Sequence, residues 1–173
     1  MPELSITIRP ETAADAQQIE RLLERTFGPG RFVLSAHRLR EHVDHRLELS
    51  FTARIGTLLV GSVRQLPICI GETKALMLGP LTVEPPFRSH GIGRMLLERC
   101  LAEAKAKGER LVLLVGDEPY YRRVGFKQIP RGQVTMPGPV DAARMLIIEL
   151  QDGAFEGVSG RVRPDWDFAR KSA

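Results

Sequence analysis

The chain has 173 residues, 43% hydrophobic and 27% charged, a balance that suits one domain with a real core. Twenty-five Lys and Arg against 21 Asp and Glu leave a net charge of +4, but the positive residues are scattered as pairs and aromatics are only 6%, so no basic stripe with interleaved rings marks a nucleic-acid surface. No apolar run approaches the ~20 residues of a membrane helix, no basic-then-apolar leader opens the chain, and Cys69 and Cys100 fit no metal or redox spacing; a cytoplasmic protein with two reduced, buried thiols is expected.

Ile6-Thr7-Ile8-Arg9 before Pro10 predicts a first strand. Thr12 and Asp15 are spaced as a capping box. Ile19, Leu22, Leu23, Thr26 and Phe27 follow at helical spacing and predict an amphipathic helix over 12–27, ended by Gly28-Pro29-Gly30. A second helix is expected from Ser35 to about His45. His42 and His45 can share one face of it, which would suit a metal, but His90 is the only companion elsewhere, and a solvated face without metal is expected. Residues 47–55 alternate in polarity and predict a strand. Thr57 to Ile70 predicts a long one, with Gly61 and Pro67 marking irregularities or an edge. After a turn at 71–74, Ala75 to Val83 reads as a largely buried strand. Its interruption at Gly79-Pro80 would bend it and leave backbone N–H and C=O groups without strand partners.

The segment Pro80 to Arg94 joins that strand to a helix over 91–107 through Arg88-x-x-Gly91-x-Gly93. Glycines let the chain turn tightly and let a ligand approach. A helix opening there aims unpaired N–H groups and partial positive charge back into the loop, which makes a phosphate cradle. No Walker run is present, and Leu96 stands where a Rossmann fingerprint needs its third glycine. An ordinary strand-to-helix turn is the alternative. Ile92, Met95, Leu96 and Cys100 form the helix's apolar stripe; Lys105, Lys107 and Gly108 end it. The strand 110–115 is apolar throughout, as for a central position. A short helix and Tyr121-x-x-x-Gly125-Phe126 follow.

The loop at 88–93 and the Tyr121-to-Phe126 block, in this order and at this separation, resemble the GNAT superfamily of acetyl-CoA-dependent N-acetyltransferases. The resemblance spans about residues 5 to 150 in element order and is specific at 80–126. A strand region over 126–136, a turn at 137–139, a last strand over 144–150 and a Gly-rich extension over 151–173, pinned by Trp166, complete one expected domain over 1–173. The element order predicts an α+β fold: a mixed, mostly antiparallel sheet flanked by helices, with one parallel crossover through helix 91–107.

The resemblance implies a GNAT fold in which the strands at 75–83 and 110–115 splay apart and admit a cofactor's pantetheine. It implies that the diphosphate of CoA lies on Arg88, Ser89, His90, Gly91, Ile92, Gly93 and Arg94, and its pantetheine along Leu81, Thr82 and Val83. An N–H near Val83 would hold the oxyanion. Tyr121 is expected as the acid for the departing thiolate, with core packing as its alternative role; Tyr120 fits packing better. Glu84 is the expected base, or else a solvated loop carboxylate, with Glu72, Asp117 and Glu118 as fallbacks. The chain departs from the family at Ser89 and His90, where Gly and Arg are commonest, and lacks the usual Asn before Tyr121; Asp117 is expected to cap the short helix instead. Acceptor contacts would come from 28–45 and 130–141, where Arg31, Arg38, Arg40 and Arg131 either favour an acidic group or remain solvated. The expected function is transfer of acetyl from acetyl-CoA, as co-substrate, to a primary amine by direct attack. The alternative is a non-catalytic acyl-CoA-binding module. The expected partners are acetyl-CoA and the amine, with no metal and no membrane; a homodimer is left open.

Overall fold

The computed structural model describes residues 4–28 and 35–172. Among them the chain runs β1 (Ile6–Pro10), α1 (Ala16–Phe27), α2 (Ser35–Arg40), β2 (Phe51–Ile55), β3 (Leu58–Ile70), β4 (Thr73–Val83), α3 (Ile92–Ala106) and β5 (Leu111–Val115). It continues through α4 (Glu118–Tyr121), β6 (Lys127–Gln128), β7 (Val134–Thr135), β8 (Met145–Glu149), β9 (Gly160–Pro164) and α5 (Trp166–Ser172). The sheet order is β1-β2-β3-β4-β5-β8-β6, antiparallel throughout except for the β4–β5 pair that α3 connects.

β3 is the spine. Every residue after Leu58 is buried, because both faces and both edges are covered. Its first half pairs with β2 and its end, Ile68 to Ile70, pairs with β9. Pro67, which has no N–H to offer, sits between those two stretches, and its carbonyl accepts from Asp165 N–H at 3.2 Å. α3 covers one face with Ile92, Leu96, Leu97, Cys100, Leu101 and Ala104. Gly61 makes this approach close: a Cβ there would lie 3.1 Å from Leu96 Cδ1 and 3.2 Å from Ile92 Cγ2. α1 has its own small core, where Ile19, Leu22 and Leu23 meet Leu59. A further core gathers Leu66, Ile68, Met77, Leu113 and Ile147 with Leu39 of α2. Cys69 and Cys100 are free and buried, and Cys100 Sγ donates to the Leu97 carbonyl. Among the described residues no helix is long and apolar enough to cross a membrane.

Several boundaries differ from expectation. α2 stops at Arg40 rather than His45. Residues 47–49 form a 3-10 turn, whose neighbour Ser50 Oγ donates to the Arg46 carbonyl, so the strand starts only at Phe51. The strand expected over 126–136 shrinks to two short pieces on either side of Pro130 and Gly132. The extension over 151–173 contains β9 and α5. β9 binds it to β3, and Asp165 takes Lys74 at 3.2 Å. Trp166 is 41% exposed, and its ring lies against His42, with centroids 5.4 Å apart.

One feature of the sheet opens the site. β4 and β5 pair only at Leu76–Val112 and Met77–Leu113 and then part, while β4 runs on to Val83. The β3–β4 register shifts where Gly79-Pro80 bulges opposite Arg64. Gly79 has φ +135°, a conformation suited to glycine.

Candidate active site

The parted strand presents free backbone. Glu84 N–H donates to the Val60 carbonyl at 2.8 Å, so Val60 and Glu84 are a hydrogen-bonded pair. Antiparallel pairs alternate between bonded and non-bonded. Gly61–Val83 and Val63–Leu81 are therefore non-bonded pairs, and the N–H and C=O of Leu81 and Val83 point away from β3 into the gap beside β5. Arg88 Nε reaches back to the Val83 carbonyl at 3.3 Å.

The cradle adjoins this edge. Gly91, at φ +76°, starts α3 without a side-chain cap, and the first intrahelical bond is Met95 N–H to the Gly91 carbonyl at 3.0 Å. The N–H groups of Ile92, Gly93 and Arg94 have no intrahelical acceptor. Ser89 holds φ +75°, a left-handed backbone that glycine adopts without cost and serine does not.

Strand edge and cradle share a cleft of about 560 Å³. It is lined by Leu81, Thr82, Val83, Arg88, Ser89, Gly91, Ile92, Gly93 and Arg94; of the expected cofactor residues only His90, an exposed loop side chain, is outside it. Sequence reasoning missed Thr26 and Phe27 from α1, Phe87, and Arg123 beyond Tyr121, all of which line it. The Thr26 and Thr82 hydroxyls are buried with no hydrogen-bond partner among the described residues. Arg88, Arg94 and Arg123 place positive charge around the rim, although Arg94 is shared with Glu98 at 2.7 Å.

Tyr121 lines the same cleft, and no hydrogen bond holds its hydroxyl among the described residues. Its ring stands edge-on to Tyr120 and Phe126, with centroids at 5.0 and 5.9 Å. Burial, with smaller contributions from the Tyr120 phenol and the Asp117 carboxylate, pushes its pKa up to about 12. Gly116 makes room for the ring: a Cβ there would meet Tyr121 Cε2 at 2.4 Å. Tyr120 also lines the cleft, and a Cβ on Gly93 would lie 2.5 Å from its hydroxyl.

Glu84 is differently placed. Its carboxylate is 18% exposed and outside the cleft lining, and its Oε1 accepts from Arg25 Nε at 2.9 Å and from Arg25 Nη2. Glu72 lies beyond the opposite end of β4, exposed beside Arg163. Glu118 faces Arg122 at 3.6 Å. Asp117 occupies the N-cap position of α4, but its side chain caps nothing and turns to Arg144 at 3.8 Å, so the expected capping bond is not made.

The histidines of the α2 region go separate ways. His45 Nε2 pairs with Glu11 Oε2, the His42 ring lies tilted against Trp166, and His37 lies 3.8 Å from Glu41. Among the described residues no three His, Cys, Asp or Glu side chains gather as metal ligands. Arg38 is exposed and donates to the Pro137 carbonyl at 3.2 Å, and Arg131 is exposed. Arg31 lies outside the described residues. Arg40 is the partly buried one of the set.

Residues 48–128 match the family model of the GNAT acetyltransferase domain. The chain is also similar to YhbS of Escherichia coli, described as an uncharacterized N-acetyltransferase, at 29% identity over 165 residues, covering 94% of this chain and 98% of that one. The crystal structure of YhbS, solved in complex with CoA, superposes with a TM-score of 0.80 at 26% identity over 97% of this chain and 94% of that one. The chain is similar to GNAT acetyltransferases in sequence and shares their fold. A GNAT acetyltransferase from Brucella melitensis, crystallised with acetyl-CoA, is similar over 88% of this chain and 99% of that one, with 27% identity and a TM-score of 0.57. In this chain the bulged β4, its separation from β5 and the uncapped start of α3 border one cleft.

Proposed function

We propose that the protein transfers an acetyl group from acetyl-CoA to a primary amine, by direct attack within the cleft between β4, α3 and α4. One observation carries this reading: the free edge at Leu81 and Val83, the uncapped N-terminus of α3 and the Tyr121 hydroxyl open onto one cleft. The CoA and acetyl-CoA bound by YhbS and the Brucella protein support the choice of cofactor.

In this reading the diphosphate sits on the N–H groups of 91–94, with Arg88 and Arg123 beside it. Such contacts are worth about 0.3–1 kcal/mol each, more where water is excluded. The pantetheine amides pair with Leu81 and Val83 as an added strand. The thioester carbonyl then lies by the Val83 N–H, which holds the oxyanion.

The amine attacks as the free base. At a lysine-like pKa of about 10.4 only about 1 in 2,500 is neutral at pH 7, a cost of about 4.6 kcal/mol. Its nitrogen bonds to the carbonyl carbon and the C–S bond breaks. The nitrogen's proton leaves to water, and Glu84 accepts it through its second oxygen, Oε2, because Arg25 occupies Oε1. The sulfur departs as thiolate. A thiolate whose thiol has an ordinary pKa near 8.5 is a much weaker base than a phenolate whose phenol is held to about 12, so Tyr121 donates a hydrogen bond to the sulfur and keeps its proton. The thiolate then takes, by way of water, the proton that Glu84 had accepted, leaving N-acetyl amine and CoA with Glu84 again ionised.

Thiol release from acetyl-CoA across a panel of amines, polyamines, amino acids and peptides tests the reading. Tyr121→Phe should lower kcat about 10- to 100-fold, the worth of a hydrogen bond to a charged atom, with CoA affinity unchanged. Glu84→Gln should have a smaller effect. Tight CoA binding with no amine ever acetylated would instead favour a non-catalytic acyl-CoA module.

A further inference from the structure

The chemistry above leaves open what holds the rest of the acceptor. A second cavity, of about 230 Å³, bears on that question. It has space for roughly eight waters, enough for one amino acid. It touches the cleft at two places. Phe27 lines both, and Pro80 lines the cavity where the next residue, Leu81, lines the cleft. A molecule seated there faces the bulge of β4 and, past it, the strand edge proposed to carry the thioester.

The charges around this cavity are unequally satisfied. Arg64 is 8% exposed and committed: its Nε donates to Glu11 Oε1 at 2.8 Å, and its Nη1 lies 3.6 Å from Glu20. Glu11 is 4% exposed and gives its other oxygen to His45. His37 is near Glu41, and Asp44 also lines the wall. Arg40 stands apart. It projects from α2 into the same cavity, and among the described residues it makes no hydrogen bond and no ion pair. Burial, with repulsion from Arg64 second, pulls its pKa down to about 10, and Glu20 offsets this only in part. A guanidinium drawn out of water beside another cation, with five donors unused, is an unfavourable arrangement unless an anion completes it.

We propose that Arg40 seats a carboxylate of the acceptor, so that the substrate is a small amine bearing a carboxylate, a free amino acid. This rests on the acetyltransferase reading of the adjoining cleft. The planar fork of arginine matches a carboxylate with two parallel hydrogen bonds. The amine end then points past Pro80 towards Leu81 and Val83. The terminal carboxylate of a peptide offers the same chemistry, and the small volume of the cavity favours the free amino acid.

The test compares each amino acid with its C-terminal amide and its decarboxylated amine: lysine, lysinamide and cadaverine; phenylalanine, phenylalaninamide and phenethylamine. A tripeptide ending in each residue forms the peptide arm. The full-length wild type, Arg40→Gln and Arg40→Lys are assayed for thiol release from acetyl-CoA. The expected result is a preference of at least tenfold in kcat/KM for the carboxylate form of an accepted amine. Arg40→Gln should erase that preference by raising KM for the carboxylate form, leave the amides within about twofold and leave CoA affinity intact. Arg40→Lys should restore part of it. Equal rates for amide and acid in the wild type, a uniform loss in Arg40→Gln, or a tripeptide preferred over the amino acid would overturn the proposal. Calorimetry of the same amino acids on CoA-saturated protein supplies a readout without turnover. Saturable binding that Arg40→Gln abolishes supports the carboxylate seat even if no acetyl moves, in which case only the acetyltransferase reading falls. No binding by any of them overturns the seat.

Discussion

At the scale of single residues, the structure gives Tyr121 and Ser89 measurable signatures. The Tyr121 phenol and the Cys100 thiol both have pKa values raised to about 12, each chiefly by burial. A raised pKa means that the folded chain keeps a proton the unfolded chain sheds, so this stability is complete below the unfolded value and lost as pH climbs towards the folded one. Stability should therefore fall between about pH 9 and 12, with Cys100 contributing from about pH 9 and Tyr121 adding to it above about pH 10, on the order of 1–2 kcal/mol. Urea midpoints measured across that range should decline more gently in Tyr121→Phe than in wild type; parallel declines would contradict the burial of its hydroxyl. Ser89 sits at φ +75°, which costs a non-glycine residue about 1–2 kcal/mol, against about 0.5–1 kcal/mol for the extra freedom glycine loses on folding. Ser89→Gly should raise Tm by about 1 to 4 °C and leave CoA affinity unchanged, because the cradle's donors are backbone. A lowered Tm would mean that the serine hydroxyl contributes more than its backbone costs.

At the scale of elements, the site depends on glycines that let one element approach another. Gly116, at the end of β5, is the clearest case. A methyl group there would meet the Tyr121 ring at 2.4 Å, and that ring is already held by Tyr120 and Phe126. Gly116→Ala should reproduce the kcat loss of Tyr121→Phe, with an unchanged dissociation constant for CoA, in steady-state and binding assays run side by side. The same scale shows what could be read in the sequence. β3, β4, α3 and β5 were legible because they are long and buried, or amphipathic with clear ends. The start of α3 was legible because Gly91 and Gly93 stand where the helix begins. β9 was not, since Gly-Arg-Val-Arg-Pro has little strand character of its own and gains its partners only when the tail returns to β3 and β7. The ion pair between Arg25 and Glu84 joins residues 59 apart in the chain, which no local pattern announces. Arg40 looked like Arg38 and Arg131 until the packing of α2 placed it in a cavity beside Arg64.

For the whole molecule, the account places a cofactor along the parting of β4 from β5, held at one end by the start of α3 and walled by α1 and α4. The most direct test is a thermal melt of the intact protein with and without CoA. A ligand held at about 100 times its dissociation constant stabilises the folded state by about 2.7 kcal/mol, which for a chain of this size raises Tm by roughly 5 to 10 °C. The account predicts that rise for both CoA and acetyl-CoA. A Tm indifferent to millimolar CoA and acetyl-CoA would contradict it.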